Sequence, residues 1–304
     1  MIAAVRAALI SQAQGEVQSP LPGQLHFDDP PGDCHIKYGH VAGSPRFAVK
    51  IATGFYDNPR RGLPSNHGVV FVFDATTGAP VTLFQDEGWL TAWRTAAATA
   101  IAAAALAPVS IREVGVVGAG LQAALALDWL PDTLGAQSFV VWARDARKAA
   151  ALIESAAAPG RRLSAVPRID ELLARCNLIV TATPAAAPLF EAGEVRPGTH
   201  VVAIGADGPG KQELPGELFR RAAHVLTDDH DQCLDHGDFG AAVRAGAIGA
   251  DRDVMLGHVL SGAARLHRDP DAITVADLTG IAVEDIAIAE LFSDLLAATA
   301  PNRA

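Results

Sequence analysis

The stretch Gly115-Val-Val-Gly118-Ala-Gly120-Leu121-Gln122-Ala123 follows an apolar strand pattern and opens a helical one. Its operative spacing is Gly118-x-Gly120-x-x-Ala123. Gly118 permits a tight turn, Gly120 lets the backbone approach a pyrophosphate, and Ala123 lets the helix pack closely on the strand it leaves. The start of that helix offers free N–H groups and a positive dipole end to an anion. A glycine-rich loop in a non-binding α/β domain would share the spacing, so the surrounding chain has to decide.

Downstream, apolar runs at 138–142, 178–182, 200–204 and 223–227 repeat the strand pattern of 113–117, with helical stretches between most of them. Near-continuous apolar strands separated by helices argue for a parallel sheet covered on both faces. Residues 108–280 are therefore expected to form a Rossmann-type domain that binds NAD or NADP. The second strand ends in Trp142-Ala143-Arg144-Asp145. Position 143, where an acid would accept the ribose hydroxyls of NAD, is alanine. Arg144 can reach a 2′-phosphate, which tilts the reading to NADP. Asp145 can still contact a ribose, and Arg144 also reads as an ordinary charge at a helix start.

Upstream the texture changes. Residues 46–52, 67–74 and 81–84 are rich in Val, Ile and Phe and are separated by loops or turns, the pattern of an α+β unit built from hairpins. Thr95 to Ala107 is mostly alanine, closed by Pro108, and shorter than the ~20 residues of a bilayer span, so it reads as a closely packed helix. Ile281 to Ala298 reads as an amphipathic helix expected to return to the first domain. The expected division is thus 1–107 plus 281–304, and 108–280.

Composition sets the outer bounds. Half of the 304 residues are hydrophobic and 19% are charged, a globular balance. The formal net charge of −10 argues against a nucleic-acid partner. Cys34, Cys176 and Cys233 are odd in number and far apart, which gives no disulfide framework and fits a reducing cytoplasm. The first 15 residues are too lightly apolar for a signal peptide. Of the 24 basic residues only Lys37, Lys50, Lys148 and Lys211 are lysine. In an arginine-rich chain the surviving lysines mark places that need an amine, although chance is the simpler reading for Lys148.

Two motifs mislead. Gly205-Ala-Asp207-Gly208-Pro209-Gly210-Lys211 matches the GxxxxGK spacing of a phosphate-binding loop, but Gln212 stands where Ser or Thr would hold Mg²⁺, and Pro209 removes an N–H. The segment is better read as a loop at the carboxyl end of a sheet strand, which puts Asp207 and Lys211 beside the cofactor. Asp228 to Asp238 carries His, Cys and Asp at no closed metal spacing and reads as a solvated acidic loop, with no metal expected.

The segment Phe84-Gln-Asp86-Glu-Gly88-Trp-Leu-Thr91-Ala-Trp-Arg94-Thr95, the turn at 118–123, the loop at 205–214 and Leu278-Thr279-Gly280-Ile-Ala-Val-Glu-Asp285 together resemble the ornithine cyclodeaminase/mu-crystallin family over about residues 35 to 295. The resemblance implies a homodimer in which a smaller α+β substrate and dimerisation domain accompanies the Rossmann domain. It implies hydride exchange between a nicotinamide and the α-carbon of a small amino or imino acid. Lys50 would meet the substrate carboxylate, the competing reading being a snorkelling strand lysine. Arg94 and Thr95 would lie near cofactor phosphate or substrate. Ser65, Gln122, Thr183 and Lys211 are similar to cofactor contacts, beside Gly118, Gly120, Leu121 and Arg144, and Thr279 resembles a substrate-side position. Asp207 matches an aspartate used for acid/base work, and also suits an Asx turn. The family usually has a further basic side chain upstream that clamps the substrate carboxylate, and Lys37 is the candidate to stand in for it.

Three functional readings follow from the resemblance. One is cyclodeamination of L-ornithine to L-proline and ammonia, favoured by Asp207. Another is an NADPH-dependent imine reductase or amino-acid dehydrogenase, favoured by Arg144 and by the lack of an acid to read ornithine's second amine. The third is a non-catalytic NADPH-binding protein of the crystallin type, against which the set Lys50, Asp207 and Lys211 argues.

Overall fold

A computed structural model describes residues 1–55 and 57–299. The chain forms two compact units, Met1–Arg94 with Ile281–Ala304, and Thr95–Gly280.

The first unit holds helix α1 (Ile2–Ala13), strands β1 (Val17–Gln18), β2 (Gly23–Asp28), β3 (Pro31–Val41), β4 (Arg46–Phe55), β5 (Asn66–Asp74) and β6 (Pro80–Phe84), the start of helix α2 (Trp89–Ala105), and a C-terminal helix (Ala282–Thr299). The strands form an antiparallel sheet in the order β1-β3-β4-β5-β6, with β2 also paired to β3. Side chains alternate across such a sheet. One face presents Lys37, Ala48, Lys50, Val70 and Val72, all buried, and the C-terminal helix packs on it, with α1 against that helix. The other face presents Tyr38, Phe47, Val49, Phe71, Phe73, Val81 and Leu83, none of which is fully buried.

The division between the units falls inside α2, between Arg94 and Thr95, and not at Pro108. Beyond Thr95 the helix packs with the second unit: the Ala102 carbonyl meets His200 Nε2 at 3.1 Å.

The second unit alternates strand and helix: β7 (Val114–Val117), α3 (Leu121–Leu134), β8 (Ser138–Trp142), α4 (Ala146–Ser155), β9 (Arg162–Ala165), α5 (Ile169–Arg175), β10 (Leu178–Thr181), β11 (His200–Ala203), α6 (Gly216–Arg221), β12 (His224–Thr227), α7 (His230–His236), α8 (Asp238–Arg244), β13 (Asp253–Met255), α9 (Leu256–Ser261) and β14 (Thr274–Asp277). The strands lie in the order β13-β12-β14-β11-β10-β7-β8-β9, all parallel. β7, β10, β11 and β14 are wholly buried and the middle of β8 is too, because helices cover the sheet, while the edge strand β9 has no buried residue. Val117, Ile179, Val201, Val225 and Val275 share one core with Leu172, Leu218 and Phe239. The fold is α/β, with a doubly wound parallel sheet in one unit and an antiparallel sheet in the other.

The chain leaves β7 toward β8 and β9 on one side and returns through β10 and β11 on the other. The crevice at the carboxyl ends of β7 and β10 is therefore the switch point where such sheets take ligands. Strands β1, β2, β3, β9, β13 and β14 were not expected from the sequence, and β14 takes a central place between β11 and β12. Among the described residues no helix is long and apolar enough to cross a membrane.

Candidate active site

In the first unit, Lys37 and Lys50 are direct cross-strand neighbours in β3 and β4. Lys50 Nζ lies 2.7 Å from Asp285 Oδ2 and donates to Thr91 Oγ1 at 3.3 Å. Arg94 donates from Nε to Asp285 Oδ1 at 3.0 Å and from Nη1 to Glu284 Oε2 at 2.9 Å. All five charged side chains are buried. Asp285 and Glu284 open the C-terminal helix, where the helix dipole also favours negative charge.

Burial lowers the Lys50 pKa to about 7; Asp285 opposes the shift while Arg94 and Lys37 reinforce it. Burial works against the charge of Asp285 too, but Arg94, Lys50 and Lys37 hold its carboxyl below the usual range. Burial likewise disfavours the Arg94 charge, and Asp285 and Glu284 overcome it and keep the guanidinium protonated. Arg94 and Asp285 are held ionised by their partners, and Lys50 is poised to gain or lose a proton near neutrality. The roles of Glu284 and Asp285 were missed by the sequence reading, because two acids in the first turn of a helix are ordinarily solvated complements of its dipole.

In the second unit, Gly118 has φ of 127°, and a Cβ on it would lie 2.6 Å from the Ala182 carbonyl oxygen. Only glycine fits that turn. Gly120 caps α3, and a Cβ there would meet no protein atom. Its smallness serves something other than the fold, and the open space above it suits the close approach of a pyrophosphate. Leu121 is exposed and Ala123 is buried against the sheet. Arg144 is exposed after β8. Asp145 is occupied as the cap of α4, its Oδ1 accepting from Arg147 N at 3.0 Å.

Thr183 follows β10, and the loop 205–211 follows β11, at the same edge of the sheet as Gly118. A buried carboxylate, Glu213, ties these ends together. It accepts from Thr181 Oγ1 at 2.7 Å, from Thr183 N and Oγ1 at 2.7 Å each, and from Gly205 N at 2.8 Å. Burial raises its pKa while these four donors oppose the shift. Asp238 Oδ1 in turn accepts from the N–H groups of Glu213 and Leu214 at 2.8 and 2.9 Å. Glu213 received no role from sequence; its signal was its place in Lys211-Gln-Glu213-Leu. Within the loop Lys211 Nζ donates to Asp207 Oδ1 at 2.6 Å, and Asp207 remains half exposed. With Gly205 N engaged by Glu213 and no helix starting at Gln212, the loop does not have the construction of a phosphate-binding P-loop.

The segment 228–238 is corrected by the structure. It is not a solvated acidic loop: α7 occupies most of it, and Asp228, Gln232, Cys233, His236 and Asp238 are buried. Asp228 accepts from Thr279 N at 2.9 Å, Thr279 Oγ1 at 3.1 Å and Cys233 Sγ at 3.1 Å. Gln232 Nε2 donates to Thr279 Oγ1 at 2.9 Å. These side chains are consumed in holding the Thr279–Gly280 turn at the end of β14. Among the described residues no group of His, Cys, Asp and Glu is arranged to hold a metal ion. Ser65 and Thr95 sit in the loop before β5 and in α2, and Gln122 in the first turn of α3.

A parallel sheet with a glycine turn at its switch point, carried with an antiparallel sheet bearing a buried lysine pair, defines a two-unit dinucleotide-enzyme architecture. The family model of the ornithine cyclodeaminase/mu-crystallin family matches residues 1–299, and the chain belongs to that family. It is 34% identical over 289 residues to an alanine dehydrogenase of Archaeoglobus fulgidus, covering 95% of this chain and 87% of that one. Among solved structures it is similar to an archaeal alanine dehydrogenase dimer with bound NAD, with a TM-score of 0.90, 30% identity, and coverage of 98% of this chain and 91% of that one. It is also similar to a lysine cyclodeaminase, with a TM-score of 0.86, 32% identity, and coverage of 98% and 86%.

Proposed function

We propose that the chain is an NAD(P)-dependent enzyme that exchanges hydride with the α-carbon of a small amino or imino acid, acting as an imine reductase or amino-acid dehydrogenase. The observation that carries this reading is the buried network of Lys37, Lys50, Arg94, Glu284 and Asp285. Burying this much charge carries a desolvation cost that the ion pairs must repay, and an apolar core would avoid it. A network with three basic and two acidic members is suited to receive a carboxylate.

The turn at Gly118, Gly120, Leu121 and Gln122, with Thr183 and Lys211, would hold the dinucleotide; the open space over Gly120 fits its pyrophosphate. The capped Asp145 and the exposed Arg144 support NADP over NAD. When bound, the reduced nicotinamide supplies the hydride that adds to the imine carbon. Lys50, with Lys37 and Arg94, binds and orients the substrate carboxylate. Asp207 delivers the proton that the imine nitrogen gains, or accepts it when the amino acid is oxidised. Thr279, fixed by Asp228 and Gln232, contributes a hydroxyl on the substrate side.

A second reading is cyclodeamination of L-ornithine to L-proline and ammonia. It is favoured by Asp207, whose half-exposed carboxylate can accept a proton from an amine. The free, buried cysteines support a reducing, cytoplasmic setting. The experiment is a paired assay on purified protein. The expected outcome is steady NADPH oxidation with Δ1-pyrroline-2-carboxylate or with pyruvate plus methylamine, slower with NADH. Proline and ammonia from L-ornithine at catalytic cofactor levels, with no net cofactor reduction, would instead establish the second reading.

A further inference from the structure

The core of the second unit holds two carboxylates to which the proposed chemistry gives no part. Asp277 ends β14 and Asp238 opens α8, and both are fully buried. The backbone brings them together. Asp277 Oδ2 accepts from Phe239 N at 2.7 Å, and the N–H of Asp238 also favours the Asp277 charge. A Cβ on Gly237 would collide with the same oxygen. The Asp277 carboxyl is thus seated on the main chain at 237–239, beside the Asp238 side chain. Asp238 spends Oδ1 on Glu213 N and Leu214 N. The remaining two oxygens, Asp238 Oδ2 and Asp277 Oδ1, are buried and have no hydrogen-bond partner among the described residues. Leaving both ionised in that state is costly, because two carboxylates sharing a dry site cannot readily both hold charge.

The surrounding groups supply no countercharge. Glu213 acts on Asp238, and Asp228 acts on Asp277. From α7, which packs on α8, Cys233 Sγ turns to Asp228 and to the Asp277 carbonyl, and His236 Nδ1 turns to Asp235. From α6, Arg220 pairs with Glu217 at the surface and Arg221 donates to the carbonyls of Ala192 and Val195. From the neighbouring strands, His200 is bonded to Thr274 and Ala102, and His224 to the His267 carbonyl. Burial raises both carboxyls, and the Glu213 charge adds to the rise at Asp238 as the Asp238 charge does at Asp277.

We propose that Asp238 and Asp277 hold one proton between their two free oxygens, and that this bond fastens the loop after β11 to the turn after β14. Asp238 holds residues 213 and 214, where the loop bearing Asp207 and Lys211 ends. Asp277 leads within two residues to Thr279. The pair is therefore a positioning device for both. Its bearing on catalysis rests on the proposed reading that the loop and Thr279 serve the site; the shared proton itself does not.

Asparagine tests the pair, because it puts an N–H donor where the shared O–H would be. In Asp277→Asn the amide oxygen can keep the Phe239 bond while the amide N–H donates to Asp238 Oδ2. In Asp238→Asn the oxygen can keep Glu213 N and Leu214 N while the N–H donates to Asp277 Oδ1. In the double variant two donors meet. Urea unfolding at pH 7 should find each single variant folded, and the double variant weaker than the two single effects predict by on the order of tenfold in the unfolding constant. Infrared difference spectra at pH 7 should show a protonated-carboxyl C=O band in wild type that either single variant removes. From the ordinary carboxyl value of 3.8 up to about 7 the folded pair keeps a proton that the unfolded chain has lost, so the pair makes stability fall as pH rises. Wild type should lose about tenfold in its folding constant per pH unit relative to Asp277→Asn across that window. At higher pH wild type loses the shared proton and the amide does not, so the dinucleotide Kd should weaken by at least about threefold more in wild type than in Asp277→Asn between about pH 6 and 8.5. Additive effects in the double variant, an acid band unchanged in both single variants, or no acid band in wild type overturns the shared proton. A dinucleotide Kd with the same pH dependence in wild type and variant overturns the fastening. No dinucleotide binding by folded wild type overturns the functional reading instead, while the infrared band and the double variant still decide the shared proton.

Discussion

Burial of the Lys50 ammonium beside Arg94 and Lys37 pulls its pKa from 10.5 to about 7. The sign of the linked stability follows directly. Between about pH 7 and 10.5 the unfolded chain holds the Lys50 proton and the folded chain does not, so this group makes stability rise with pH across that window. Urea midpoints measured from pH 6.5 to 10 should show the rise in wild type, and Lys50→Met should flatten it. A carboxylate ligand reverses the balance by drawing the proton back, so its binding above pH 7 should take up a proton, detected as a buffer-dependent binding enthalpy. Scarcity made Lys37, Lys50 and Lys211 legible in the sequence, because a chain that otherwise uses arginine exposes its amines as choices. Glu284, Asp285 and Glu213 were not legible. Nothing in a sequence distinguishes a carboxylate on a solvated first turn from one buried against a guanidinium contributed from residue 94.

Glu213 acts at the level of the strands it joins. One carboxylate accepts from the end of β10 and from Gly205, two residues past β11, so Thr183 and the 205–211 loop are positioned by the same group. Glu213→Ala leaves four donors without that acceptor, and should cost at least ~2 kcal/mol of stability by chemical denaturation and raise the Kd for the dinucleotide. Thr181→Val removes one of those bonds and should cost about 1 kcal/mol with little effect on cofactor binding. A cofactor Kd unchanged in a folded Glu213→Ala would show that the carboxylate serves the core alone. The glycine turn and the strands around it were readable because Val-rich runs in a covered sheet have no polar face to obscure them. β14 was not, since Thr274-Val-Ala-Asp277 is four residues long and half polar, and its burial depends on neighbours β11 and β12. β3 was hidden for a similar reason: the polar side chains of Asp33, His35 and Lys37 alternate along one of its faces.

At the scale of the molecule, the first unit's sheet keeps one apolar face open, with Leu83 56% and Tyr38 46% exposed. An exposed apolar face of this kind marks an association surface. Light scattering against the chain mass of 31.5 kDa measures whether the chain self-associates, and Leu83→Glu should weaken any association this face carries. The similar archaeal alanine dehydrogenase is described as a dimer.

The chain order of both units has a consequence for biosynthesis. The first unit is begun by residues 1–94 and finished by the helix that starts at Ala282, while the sheet of the second unit gains its central strand only at Thr274–Asp277. A ribosome must therefore emit almost the whole polypeptide before either unit can close. Until then β11 and β12 lack the strand that lies between them, and the face that receives Asp285 lacks its carboxylates. Such a protein has no early folded domain to shelter the rest, and its newly made chains should depend on chaperones far more than domains that fold in sequence as they leave the ribosome.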